Sequence, residues 1–325
     1  MKQKKKIGVI VSGLVLLLLI SGLAFVGNYF FNYALVRQEG IITAAGVDPN
    51  APQSVETEQE KINKQKSEEA VEAWLPIVKT DEITIKSEDN LDLWGKIYLQ
   101  DNESDKWGII AHGYTSNSEN IQSIALNFYN KGYNVLTPDM RAHGNSEGNY
   151  IGMGWLDRKD LLKWINYIVD LDEDSQVVLY GESMGGATVM MTSGEELPSN
   201  VKAIVEDCGY TSVFDIFKKE LKERFGLPPF PILNAANVIT NIRADYDIKE
   251  ASALEQVKKS KTLILFTHGS NDGFVPVEMV YELYEAATCE KDILVIEGAD
   301  HGAAPDVDPE TYYNKVFDFL SKYIQ

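Results

Sequence analysis

Hydrophobic and polar positions along this chain follow three regimes. No charged residue occurs from Ile7 to Val36. The first ~20 residues of that run are by themselves long enough to cross a bilayer as a helix. From about Asp48 to Glu69 the pattern inverts to polar and charged residues, opened by Pro49 and Pro52, with a partial helix predicted towards Val71, Trp74 and Leu75. Beyond residue 79, short apolar runs alternate with amphipathic stretches. Glu82 to Ile85 and Leu91 to Leu99 alternate apolar and polar residues across Ser87-Glu88-Asp89-Asn90, which predicts an antiparallel hairpin. Tyr133 to Leu136 and Val201 to Val205 have the continuous apolar character of buried parallel strands. Between them, Trp155 to Val169 places Leu156, Leu161, Leu162, Trp164, Ile165 and Ile168 at helical spacing. Alternating strands and helices predict a parallel sheet covered on both faces. The segment 209–247 departs from this alternation and reads as two or three helices, broken at Leu227-Pro228-Pro229-Phe230-Pro231.

The chemistry concentrates at the ends of the predicted strands. Gly181-Glu182-Ser183-Met184-Gly185-Gly186 follows the apolar run Gln176 to Tyr180 and precedes a small-residue helical stretch. Strand, G-x-S-x-G, helix is the context of a nucleophile elbow, with Gly181 and Gly185 at positions where a Cβ would crowd the turn. Ser183 is therefore the candidate nucleophile. There are only four histidines, His112, His143, His268 and His301. His301 follows the strand-like run Ile293 to Ile296, where a general base belongs. Asp272 lies on a turn beyond the run Thr262 to Phe266, after the serine and before His301. In these roles His301 takes the serine proton and Asp272 fixes the imidazole tautomer. Asp300, adjacent to His301, is the competing acid. An oxyanion hole requires two backbone N–H groups. Met184, at the start of the helix after the elbow, supplies one; Tyr114, in the loop after Trp107 to Ala111, is the choice for the other. His112 and His143 are read as braces of their loops. The dispersed histidines suggest no metal site, and no cofactor is expected.

Five ordered motifs carry a resemblance: His112-Gly113-Tyr114, Asp139 to Ser146, Gly181 to Gly186, His268 to Asp272 with Val275-Pro276, and Gly298 to His301. Over roughly residues 80–325 the chain resembles the α/β-hydrolase superfamily, in particular the serine-hydrolase branch that includes monoacylglycerol-lipase-like and serine-aminopeptidase-like proteins. The resemblance implies a mostly parallel sheet of about eight strands, the chain order Ser183, Asp272, His301, and a scaffold role for Asp139, Arg141 and Ser146. It also implies that 209–247 is a short helical lid. There, Phe214, Phe217, Leu221, Phe225 and Phe230 are candidates for an acyl pocket, with packing of the lid onto the core as the alternative for each.

The N-terminus changes where such chemistry would happen. Lys2, Lys4, Lys5 and Lys6 precede the apolar run, which is longer than the ~7–15 residues of a signal-peptide core. The expected organisation is a basic tail (1–6), an uncleaved signal-anchor (7–36), a stalk (37–78) and the catalytic domain (79–325). A cleaved signal peptide, with Thr43-Ala44-Ala45 as a distant site, is the alternative. The positive-inside rule places the lysines in the cytoplasm and the domain outside the cell, with Tyr29, Phe30, Phe31 and Tyr33 at the outer interface. A formal net charge of −19 opposes a nucleic-acid partner. Cys208 and Cys289 do not form a disulfide framework, and no elbow surrounds either one. The expectation is a membrane-anchored serine hydrolase acting on a small-molecule ester or acyl substrate. Peptidase, amidase, thioesterase and acyltransferase chemistry on the same triad are alternatives, as is an inactive surface binding protein.

Overall fold

The computed structural model describes residues 2–37 and 56–324; the proline-opened start of the expected stalk and the Thr43–Ala45 site lie outside the described residues. Helix α1 (Lys2–Leu35) comes first, followed by α2 (Glu58–Trp74), the strands β1 (Lys79–Lys86), β2 (Asp92–Leu99) and β3 (Lys106–Ala111), helix α3 (Gln122–Tyr129) and β4 (Asn134–Pro138). The chain continues through α4 (Asp157–Leu171), β5 (Gln176–Glu182), α5 (Met184–Thr192) and β6 (Val201–Asp207). Helices α6 (Val213–Phe225), α7 (Pro229–Ala244) and α8 (Ala253–Val257) precede β7 (Leu263–Gly269). Helix α9 (Glu278–Ala286), β8 (Lys291–Ile296), α10 (Ala304–Val307) and α11 (Pro309–Leu320) complete the domain.

The eight strands form one sheet in the order β1-β2-β4-β3-β5-β6-β7-β8. Strand β2 pairs antiparallel with both β1 and β4. Every neighbour from β4 to β8 is parallel. Successive side chains on a strand point to opposite faces, so the apolar runs feed two cores at once. Val177 and Leu179 of β5 join one core with α4 and α5, while Val178 and Tyr180 join the other with α3 and α11. This is why the central strands read as continuous apolar runs.

The described part of the expected stalk is not free-standing. Helix α2 is capped by Thr57 and Glu60 in a reciprocal capping box. Its far end buries Trp74, which stacks on Tyr98 with centroids 4.8 Å apart. Helix α1 divides into two parts. Ile7 and the large apolar residues from Ile10 to Phe25 are exposed, whereas Phe31 and Leu35 are each only 1% exposed and belong to the domain core. Of the four aromatic residues expected at a bilayer interface, three pack against the domain: Phe30 and Tyr33 edge-on against Phe225 of α6, and Phe31 against Tyr150, whereas Tyr29 is 49% exposed. Helix α1 holds the only described segment long and apolar enough to cross a membrane, Ile10–Leu35.

Candidate active site

The elbow is built by close approach of backbones. Strand β5 delivers Ser183 at φ 57°, ψ −115°, an uncommon region for a residue with a side chain, and α5 begins at the next residue. The Ser183 N–H donates to the Asp207 carbonyl at 2.8 Å, tying the turn to the neighbouring strand. A Cβ on Gly181 would lie 2.1 Å from the Gly185 carbonyl oxygen, and one on Gly185 would lie 2.1 Å from that of Ala111. Both glycines are thus sterically required.

The structure brings the three dispersed polar residues together. His301 Nε2 lies 2.8 Å from Ser183 Oγ, and its Nδ1 lies 2.8 Å from Asp272 Oδ2. The Asp272 side chain is fully buried, while that of His301 is 24% exposed. Burial alone would raise the Asp272 pKa; hydrogen bonds and charge from His268 and His301 more than reverse it, holding the carboxyl far below its ordinary range. Its Oδ1 also accepts the N–H groups of Phe274 and Val275, each at 2.8 Å. Burial lowers the His301 pKa, but the Asp272 hydrogen bond and charge, aided by Glu182, leave it above its ordinary value. The competing acid, Asp300, is used differently: its Oδ1 accepts the N–H groups of Gly273 and His301, closing the loop that carries the imidazole.

Of the two residues singled out for an oxyanion hole, Met184 directly follows Ser183 and Tyr114 lines the same cavity as Ser183. Met184 opens α5, so its N–H has no partner within the helix. The β3 loop passes close by, since a Cβ on Gly113 would lie 3.3 Å from Ser183 Cβ. Tyr114 follows, and its phenol donates to the Ala34 carbonyl of α1 at 2.8 Å. The two buried histidines brace this loop. His112 accepts the Met140 N–H at 2.9 Å, and His143 accepts that of Thr115 at 3.2 Å. Burial keeps both neutral, lowering His112 to about 4 and His143 to about 3. The Asp139–Ser146 stretch is likewise scaffold. Asp139 accepts the Ser118 and Asn145 N–H groups, and Arg141 forms a buried ion pair with Asp160.

An apolar cavity opens from Ser183. Phe217, Leu221 and Phe225 of α6 and Leu233 of α7 line it from the segment expected to be a lid. Phe214 is not part of that lining; Lys249 lies over its ring. Phe230 points outward at 73% exposure, because it sits at the proline-rich break before the regular turns of α7. The wall that these two phenylalanines do not provide comes instead from Phe30, Tyr33, Ala34 and Leu35 of α1.

Several residues at the site had no role in the sequence reading. His268 reaches Asp272 Oδ2 at 3.2 Å, so one carboxylate serves two imidazoles. Glu182, the variable residue of the elbow, is pushed up to about 7 by burial and by Asp207, against the pull of His301. Cys208 also lies beside the triad: its sulfur and ligand atoms of Asp272 and His301 fall within 4.8 Å of one another. Three potential ligands are therefore closer than the sequence spacing suggested. Both His301 nitrogens are already engaged by Ser183 and Asp272, an arrangement of a hydrogen-bonded relay rather than of a metal centre. Cys208 and Cys289 are both free thiols. The shared signal in the sequence was position: Glu182, Cys208 and His268 all stand at or just beyond the ends of parallel strands, where sites of open α/β sheets form.

Comparison with known proteins agrees with this fold. Residues 109–230 match a family model described as the alpha/beta hydrolase fold. The Bacillus subtilis (strain 168) protein YqkD is 28% identical over 213 residues, covering 65% of this chain and 70% of its own. Among solved structures, the Pyrococcus furiosus esterase Pf2001 superposes with a TM-score of 0.61 at 25% identity, over 85% of this chain and 100% of that one. The Pyrococcus horikoshii acylaminoacyl peptidase shares the fold, with a TM-score of 0.59 at 17% identity over 76% of this chain and 42% of that one. In sheet order, in family model and in structural neighbours, the chain has the α/β-hydrolase fold.

Proposed function

We propose that the protein is a membrane-anchored serine hydrolase that cleaves carboxylic esters through an acyl-enzyme intermediate. The observation that carries this reading is the continuous relay from Ser183 through His301 to Asp272 at the floor of an apolar cavity. His301 removes the Ser183 proton as Oγ attacks the ester carbonyl and returns it to the leaving alcohol. Asp272 holds the ring with Nε2 towards the serine and stabilises the imidazolium. The N–H groups of Met184 and Tyr114 receive the oxyanion, assisted by the positive end of α5. Water then repeats the sequence on the acyl-enzyme. An ester is favoured over a peptide because the cavity wall is apolar and its charged residues, Glu220 and Arg224, pair with each other at 2.5 Å. The N-terminal lysines and the exposed apolar part of α1 support an anchor with the basic end in the cytoplasm and the domain outside.

The test uses the full chain in detergent, because α1 supplies part of the domain core. Hydrolysis of p-nitrophenyl esters is measured beside aminoacyl p-nitroanilides for the parent, Ser183→Ala and His301→Ala. The expected result is ester turnover that falls at least about 10⁴-fold in each variant. Faster cleavage of the anilides would reassign the enzyme to amides, and unchanged ester turnover in Ser183→Ala would remove the nucleophile.

A further inference from the structure

The apolar run that begins the chain is longer than a bilayer requires, and the structure gives its two parts different surroundings. The helix covers about 28 Å from Ile7 to Phe25, close to the thickness of a hydrocarbon core, and Ile7 and its large apolar residues from Ile10 onward in this part are exposed. At Gly27 it meets α7 so closely that a Cβ there would lie 2.6 Å from the Ala235 carbonyl carbon. From that point α1 is fastened as a domain element. The Arg243 guanidinium donates to Asn28 at 2.9 Å and to Asn32 at 2.8 Å, positions on one helix face. The Leu35 carbonyl accepts the Ile151 N–H at 2.8 Å, and Arg37 donates to the Gly144 carbonyl at 2.8 Å. The Ala34 carbonyl receives the phenol of Tyr114, the residue placed at the oxyanion hole.

We propose that the last turns of α1 are a specificity-determining wall of the acyl site, so that the anchor helix itself sets which acyl chains fit above Ser183. This deepens the hydrolase reading and rests on Ser183 being the nucleophile. Phe30, Tyr33, Ala34 and Leu35 face the cavity opposite Phe217 and Leu221, enclosing it between α1 and α6. Such an enclosure holds a flexible hydrocarbon chain by burying its methylenes, each contributing roughly 0.8 kcal/mol. It offers few partners for the amide groups of a peptide. The substrate class is therefore an ester of a medium or long acyl chain, of the kind carried by membrane lipids. Ala34 is the narrow residue of this wall and Phe30 a bulky one, so substitutions at the two positions reshape the cavity in opposite senses.

The test measures kcat/KM of the full chain in detergent micelles for p-nitrophenyl acetate, octanoate and palmitate. Ala34→Trp fills the cavity and lowers the octanoate-to-acetate ratio at least about tenfold. Phe30→Ala lengthens it and raises the palmitate-to-octanoate ratio at least about threefold. Opposite shifts cannot come from general loss of folding. Ratios within about twofold of the parent for both variants, or a fall of all three esters in parallel, would overturn the assignment of α1 to the acyl wall. A parent chain that hydrolyses none of the three esters would instead count against the ester reading itself.

Discussion

The serine elbow and the cavity above it are neighbours, but they are held together by different physics. The elbow is fixed by backbone approaching backbone, with Gly181, Gly185 and Ala111 so close that no side chain can be added. The cavity is lined largely by side chains of three helices, α1, α6 and α7, which meet mostly through side chains, the close approach of Gly27 to Ala235 excepted. A backbone contact has no soft coordinate to absorb a change, whereas helices packed through side chains shift and repack. The proposed chemistry therefore rests on the least tolerant region and the proposed selectivity on a more adjustable one.

The largest effect separating the two is expected at Gly185. Gly185→Ala puts a methyl group 2.1 Å from the Ala111 carbonyl oxygen. It should cost at least about 3 kcal/mol of stability and abolish ester turnover, read by thermal unfolding and by p-nitrophenyl acetate hydrolysis. Parent-like activity would show that the elbow is as soft as the cavity. A smaller loss is expected from Gly27→Leu, which pries α1 from α7 near Ala235. About 1–3 kcal/mol of destabilisation should accompany a change in acyl-chain preference. A profile identical to the parent would detach α1 from the cavity.

The gentlest probe leaves shape alone and changes charge. His301 must be neutral to accept the serine proton, and its pKa is held above the ordinary 6.5. Activity should thus be present at high pH and lost as pH falls through a midpoint above 6.5. Glu182 is one of the carboxylates that hold the imidazole pKa up. Glu182→Gln should move the acid limb to lower pH, with no comparable change in chain-length preference. A limb that stays in place or moves upward would remove Glu182 from the electrostatics of the site.

The same contrast explains what the sequence made legible. The elbow announced itself because its demand is local: two glycines around one serine, between a strand and a helix, are visible in six letters. The order of Asp272 and His301 at strand ends was visible for a similar reason, since topology alone puts such ends on one edge of a parallel sheet. The choice of Asp272 over Asp300 followed from direction, and in the structure Asp300 accepts the Gly273 and His301 amides. The cavity was hidden because a bilayer and a protein core look alike to a hydrophobic residue. Val26 to Val36 was read with the anchor, yet Phe31 and Leu35 lie in the domain. Two signals marked the boundary: the run exceeded the length a bilayer needs, and Asn28 and Asn32 interrupted it at helical spacing, where Arg243 binds them. Phe214 and Phe230 were equally ambiguous, because apolar content in a lid says nothing of which way a ring turns. Glu182 was unreadable as an electrostatic partner until its burial beside His301 was seen.

The most direct test of the central claim, that Ser183 is the nucleophile of this hydrolase, is peptide mapping of the full chain after reaction with a fluorophosphonate. The relay predicts a single phosphonyl adduct on Ser183, absent from Ser183→Ala and strongly reduced in His301→Ala. A folded parent chain that carries no adduct, or carries it on another residue, would contradict it.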